Sequence, residues 1–214
     1  MAKEPEGQLI DQLIADKVLS TPQIIDAFRK VSRHLFVTPQ FKADAHINTP
    51  LPIGFGQTIS QPLTVALMLE ALQVEPGQRV LDVGAGSGWT AALLAELVGS
   101  TGSVVALERI PQLRQQAEAN VRAAGYAKIA FHTADGAQGW ADGAPFDRIH
   151  VAAAAHHEIP PALKEQLAIG GRLVVPVGQE TQDVVVVVRE TETSYHETRH
   201  PGFQFVPLIE GPLT

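Results

Sequence analysis

Apolar residues recur at helical spacing near the start of the chain. Leu9, Ile10, Leu13, Ile14, Val18 and Leu19 predict a first helix. Thr21 then offers an N-cap and Pro22 suits the first helical position. Ile24, Ile25, Phe28 and Val31 form the stripe of a second helix. From Pro39 to Pro62 the periodicity stops. Pro50, Pro52, Gly54, Gly56 and Pro62 interrupt regular structure, and Gln57, Thr58, Ser60 and Gln61 lie among them. This stretch reads as a long loop, of the kind that often carries function.

From Val80 the pattern alternates between strand and helix. Strands are predicted at Val80–Val83, Ser103–Glu108, Ile129–His132, Asp147–Val151, Arg172–Val177, the valine run Val184–Val188, and Phe203–Leu208. Helices are predicted at Trp89–Val98, from Pro111 to Gly125, and from about Pro160 to Leu167 before Gly170-Gly171. Such alternation implies an α/β fold, with a mostly parallel central sheet and helices on both faces. The expected organisation is a helical N-terminal cap with its loop over residues 1–62, and a core over 63–214, forming one compact unit.

Composition narrows the chemistry. The chain has 214 residues, 45 % hydrophobic and 18 % charged, as in folded globular proteins. Its net charge of −7 argues against nucleic acid or an anionic membrane as partner, because both attract basic surfaces. The absence of cysteine excludes disulfides, thiolate metal sites and cysteine nucleophiles. The charged segment Met1–Gly7 has no apolar signal core, so a cytoplasmic location is expected. A monomer is the expected state.

The clearest local signal is Val80-Leu81-Asp82-Val83-Gly84-Ala85-Gly86-Ser87-Gly88-Trp89, a strand running into a glycine-rich turn that opens a helix. The dinucleotide fingerprint places a small residue where Trp89 stands, which disfavours a dinucleotide. Glu108 ends the next strand, where a carboxylate can accept from both hydroxyls of a ribose. Together these features resemble the S-adenosylmethionine site of the seven-stranded methyltransferases. In that resemblance Asp82, Gly84, Gly86, Ser87, Gly88 and Glu108 hold the cofactor, and Asp135-Gly136 contacts the adenine.

The loop Leu51-Pro52-Ile53-Gly54-Phe55-Gly56-Gln57-Thr58-Ile59-Ser60-Gln61-Pro62 makes the resemblance specific. With Leu107-Glu108-Arg109-Ile110-Pro111 and Gly170-Gly171-Arg172-Leu173-Val174-Val175-Pro176-Val177-Gly178, the chain is similar to the protein-L-isoaspartate (D-aspartate) O-methyltransferases from about Val31 to Leu208. That resemblance implies a Rossmann-like S-adenosylmethionine-dependent methyltransferase fold. It also implies a repair activity, transferring methyl to the free α-carboxylate of isoaspartyl residues, with D-aspartyl residues as possible further substrates, in damaged proteins and peptides. The residues suit that reaction. A carboxylate is already ionised at neutral pH, so positioning dominates over proton transfer. A neutral hydroxyl holds the nucleophile without blunting it. Ser60 is therefore the candidate catalytic residue, with Gln57, Thr58 and Ile59 shaping the substrate site.

One stretch departs from the family pattern. Val151-Ala152-Ala153-Ala154-Ala155-His156-His157-Glu158-Ile159-Pro160-Pro161 lacks the usual proline after its alanines. His156 and His157 have no third ligand at metal-site spacing, so no metal is expected. His150 and Trp140 read as core residues, and Trp89 as packed beside the cofactor or in the core. The altered stretch leaves open a carboxylate methyltransferase of this family dedicated to one peptide or small acid. A non-catalytic module that binds isoaspartyl ends also stays open.

Overall fold

The computed structural model describes residues 5–212; Met1–Glu4 of the charged N-terminal segment lie outside the described residues. Two helices open the chain, α1 (Pro5–Ala15) and α2 (Pro22–Lys30). A two-stranded hairpin follows, β1 (Leu51–Gly54) and β2 (Gln57–Ile59), then α3 (Pro62–Leu72). The core continues as β3 (Arg79–Val83), α4 (Trp89–Val98), β4 (Ser103–Glu108), α5 (Pro111–Ala123), β5 (Ala130–Thr133), β6 (Phe146–Val151), α6 (Pro161–Glu165), β7 (Leu167–Gly178), β8 (Gln182–Arg189) and β9 (Tyr195–Phe203).

The large sheet has seven strands in the order β5-β4-β3-β6-β7-β8-β9. Strands β3 to β7 pair in parallel, whereas β7–β8 and β8–β9 are antiparallel. The chain builds outward from β3 through β4 to β5, then returns to place β6 on the other side of β3. That reversal makes a crevice at the carboxyl ends of β3 and β6, where open α/β sheets bind ligands. The valines of β8 alternate between the two sheet faces: Val184 and Val186 pack with α2, α3 and α4, and Val185 and Val187 with the cluster under α6. Cap residues Ile10, Leu13, Ile24 and Phe28 share one apolar cluster with Leu69, Leu93 and Leu94 of the core helices.

Several elements differ from the sequence pattern. Helix α1 stops at Ala15 because Lys17 takes a left-handed φ of 59°; Val18 and Leu19 then donate their N–H groups to the Leu13 carbonyl. Thr21 stands at the N-cap of α2 without a side-chain cap. Its hydroxyl donates instead to Glu70 of α3 (2.6 Å). The expected loop from Pro39 to Pro62 contains a short 3-10 turn, Pro39–Asp44, and the hairpin. Helix α6 ends at Glu165, and Gly170-Gly171 lies inside β7 rather than closing a helix. An added Cβ on Gly171 would meet the Asp147 carbonyl oxygen at 2.9 Å, so this glycine lets β7 approach β6. The last strand is Tyr195–Phe203, earlier than expected. Residues 206–208 cross the sheet end instead, with Ala154 N–H donating to Val206 O and Leu208 N–H to Ala154 O, both at 2.8 Å.

Candidate active site

The crevice at the sheet reversal opens into a cavity of about 530 Å³, within the usual range of small-molecule sites. One wall is the glycine turn after β3, including Gly84, Gly86 and Ser87. Glu108 lines the cavity beside Leu107 and Ile110. Gln57, Thr58, Ile59 and Ser60, from the second hairpin strand and its exit, line the same cavity. The floor is Ala152 and Ala153, which follow β6, and residues 206–209 supply the outer wall. A smaller hollow continues past Ser60 toward Gln61, Thr64 and Phe205.

Glu108 is 7 % exposed. One carboxylate oxygen accepts from Gly86 N–H at 2.9 Å and the other from Ile110 N–H at 3.0 Å. A carboxylate oxygen has two acceptor directions, so each retains capacity for a hydroxyl donor in the cavity. Gly84 has φ +84°, and a Cβ there would stand 3.6 Å from that of Ala152. The left-handed φ, rather than the space around it, calls for glycine where the first and fourth core strands end.

Three residues expected at the cofactor stand behind the cavity wall. Asp82 is fully buried beneath the turn, and its carboxylate meets His150 Nδ1 at 2.7 Å across the β3–β6 register. His150 is thus a partnered core residue. Gly88 opens α4 with φ +90°, and a Cβ there would lie 2.8 Å from Val121 Cγ2 and 3.0 Å from the Ala117 carbonyl. Its smallness serves the contact with α5. Asp135 accepts from Ala137 N–H and from Gly211 N–H, so it pins the tail while its neighbours Ala134 and Gly136 line the cavity.

Trp89 is a buried core residue that also borders the cavity. It donates from its indole to the Val31 carbonyl at 3.1 Å and meets Phe28 edge-on. Trp140 stacks on His132 at 3.9 Å, away from the cavity. Among the described residues no group of three or more His, Asp or Glu side chains is placed to hold a metal ion.

Three contributors were not among the expected site residues, although Arg109 stands in a family-like motif and residues 206–208 in a predicted strand. Arg109 lines the cavity and donates to the carbonyls of Ile209, Gly211 and Pro212. Residues 206–209 complete the wall because β9 ends early. Arg33 braces the Ser60 segment from behind, donating to Ser60 O at 3.1 Å.

The sequence matches the profile of the protein-L-isoaspartate(D-aspartate) O-methyltransferase (PCMT) family over residues 4–212. The chain belongs to that family. Among PCMT proteins it is 46 % identical over 202 residues to the protein-L-isoaspartate O-methyltransferase of Methanoregula boonei, covering 94 % of this chain and 91 % of that one. It is 42 % identical over 205 residues to protein-L-isoaspartate O-methyltransferase 1 of Archaeoglobus fulgidus, covering 96 % and 94 %. The solved structure of a PCMT protein from Plasmodium falciparum, in complex with S-adenosyl-L-homocysteine, superposes with a TM-score of 0.83 at 25 % identity, covering 98 % of this chain and 100 % of that one. The PCMT architecture thus extends over both the helical cap and the α/β core.

Proposed function

We propose that this chain methylates the free α-carboxylate of L-isoaspartyl residues in damaged proteins and peptides, using S-adenosylmethionine. One observation carries the reading: Ser60 and Glu108, from widely separated stretches of the chain, line a single cavity at the sheet reversal. Relatives that share most of this chain are protein-L-isoaspartate O-methyltransferases.

The residues present fit the cofactor. Glu108 offers one remaining acceptor direction on each oxygen, matched to adjacent ribose hydroxyls. Gly84 lines the cavity with bare backbone, which admits a ligand close to the turn. When bound, S-adenosylmethionine supplies a methyl group on a positively charged sulfur. Ala152, Ala153, Ile59 and Val83 also line the cavity, and these apolar groups keep water from solvating the opposed charges. Ser60 holds the substrate carboxylate with a neutral hydroxyl, so the oxygen keeps its nucleophilicity. Thr58 and Gln57 shape the entrance. The chain supplies alignment, and no side chain has to remove a proton.

A labelled-methyl assay tests this. An isoaspartyl peptide and its normal aspartyl twin are compared under identical conditions. Label is expected only in the isoaspartyl peptide, as a base-labile ester. Equal labelling of the twins, or labelling of neither, overturns the reading.

A second reading keeps the chemistry and narrows the substrate. The stretch 151–161 departs from the family pattern, and its Ala152 and Ala153 line the cavity. A dedicated enzyme would label one peptide context or one small acid and ignore generic isoaspartyl peptides. A D-aspartyl peptide belongs in the same panel.

A further inference from the structure

Arg33 is a charged side chain only 2 % exposed. Among the described residues every acceptor of its guanidinium is a main-chain carbonyl. One terminal nitrogen donates to Ala45 (2.9 Å) and Ile47 (3.3 Å). The other donates to Thr49 (2.8 Å), Ile59 (3.4 Å) and Ser60 (3.1 Å). Its acceptors lie in two stretches, 45–49 after the 3-10 turn and 59–60 at the exit of β2. A planar fork of donors can hold several converging carbonyls at once, whereas a Lys ammonium is a single point. Burial lowers the Arg33 pKa only to about 10, so the fork stays charged at neutral pH.

The same guanidinium lies 5.6 Å from the centre of the Trp89 ring, and Trp89 lines the cavity with Ser60 while Arg33 does not. We propose that Arg33 is a positioning residue for methyl transfer: by gripping the Ser60 carbonyl it fixes the Ser60 hydroxyl against the cavity wall. The arrangement separates two needs. A cation touching the substrate carboxylate would hold the anion in its ground state and slow it as a nucleophile. A cation on the carbonyl side makes the segment rigid and leaves only the neutral hydroxyl facing the substrate. A buried charge is costly to keep without strong hydrogen bonds, which fits a residue retained to order a loop.

The proposal rests on the role of Ser60 in the preceding reading, and the experiment separates the two. Arg33→Lys, Ser60→Ala and the double variant are assayed for kcat/KM on an isoaspartyl peptide, with cofactor affinity measured by calorimetry and folding by thermal melting. Arg33→Lys is expected to lower kcat/KM at least ~10-fold and to change cofactor Kd less than ~2-fold; in the Ser60→Ala background it should change kcat/KM less than ~2-fold, because both act through one hydroxyl. Full activity of Ser60→Ala removes the Ser60 role and this proposal with it. If Ser60→Ala is impaired, three results overturn the Arg33 role alone: independent, multiplying losses, a parallel loss of cofactor affinity, or an Arg33→Lys protein with no cooperative melt. The last would make Arg33 a support of the fold rather than of the loop.

Discussion

Ser60 and Glu108 line one cavity; the proposed function gives one the substrate and the other the cofactor, so their variants should separate. Ser60→Ala should reduce kcat on an isoaspartyl peptide by on the order of 10²-fold, the scale of lost alignment, and leave cofactor affinity nearly unchanged. Calorimetry beside steady-state kinetics checks the split. Glu108→Gln loses charge-assisted hydrogen bonds. It should weaken cofactor binding by about 10-fold, or roughly 1.4 kcal/mol, with a smaller change in kcat at saturating cofactor. Gly88 belongs to packing. Gly88→Ala would push a methyl against Val121 and the Ala117 carbonyl at a left-handed φ of +90°. A loss of about 1–3 kcal/mol is expected, read as a lower urea midpoint at unchanged slope. The glycine turn pointed to Glu108 and the family resemblance to Ser60, and both line the cavity. Residue type and spacing could not reveal that Asp82 turns under the sheet toward His150, because in a parallel sheet the strand partner is set by topology. Arg33 gave no signal because a lone arginine normally reads as surface.

The elements most legible in the chain were those with a clear period or a firm stop. Helix α4 and strand β4 begin and end where the pattern places them. Helix α3 went unread because it is buried nearly all round: Thr64, Val65, Ala66, Met68, Leu69 and Leu72 leave no polar stripe. The hairpin was hidden by Pro52 and by Gly54 and Gly56 at its tip, and its strands are only four and three residues long. Strand β9 escaped for the opposite reason: it is an exposed edge rich in His, Glu and Arg, charges that discourage pairing with other edges. Helices α2 and α3 meet through Glu70, whose carboxylate accepts from Ser20 and Thr21 N–H at 2.7 and 2.8 Å and from both hydroxyls. Burial acts to raise its pKa, but these hydrogen bonds hold it below its ordinary 4.5. A depressed carboxyl stabilises the fold above the unfolded value, and that contribution fades as pH falls through the folded value. Between pH 7 and pH 3, the Tm of Glu70→Gln should therefore fall less than that of the parent. Parallel melting curves for the two proteins would refute it.

At the scale of the molecule, the cavity exists because the sheet reverses beside β3 and because a late segment returns to close it. Val206 and Leu208 bond to Ala154, and Arg109 and Asp135 hold the stretch that follows. A chain ended after Gln204 should keep its far-ultraviolet circular dichroism but bind S-adenosylmethionine at least ~10-fold more weakly, about 1.4 kcal/mol by calorimetry. Unchanged affinity would mean that the outer wall contributes nothing to retention.

The walls of that cavity are drawn from stretches widely separated along the chain, and the segment 206–209 comes far later than Ala153. On the ribosome the strands and the glycine turn emerge first, and the chamber stays open on one side until this segment clears the exit tunnel. A nascent chain therefore has its framework before it has an enclosed pocket, which closes only once segment 206–209 follows the strands out.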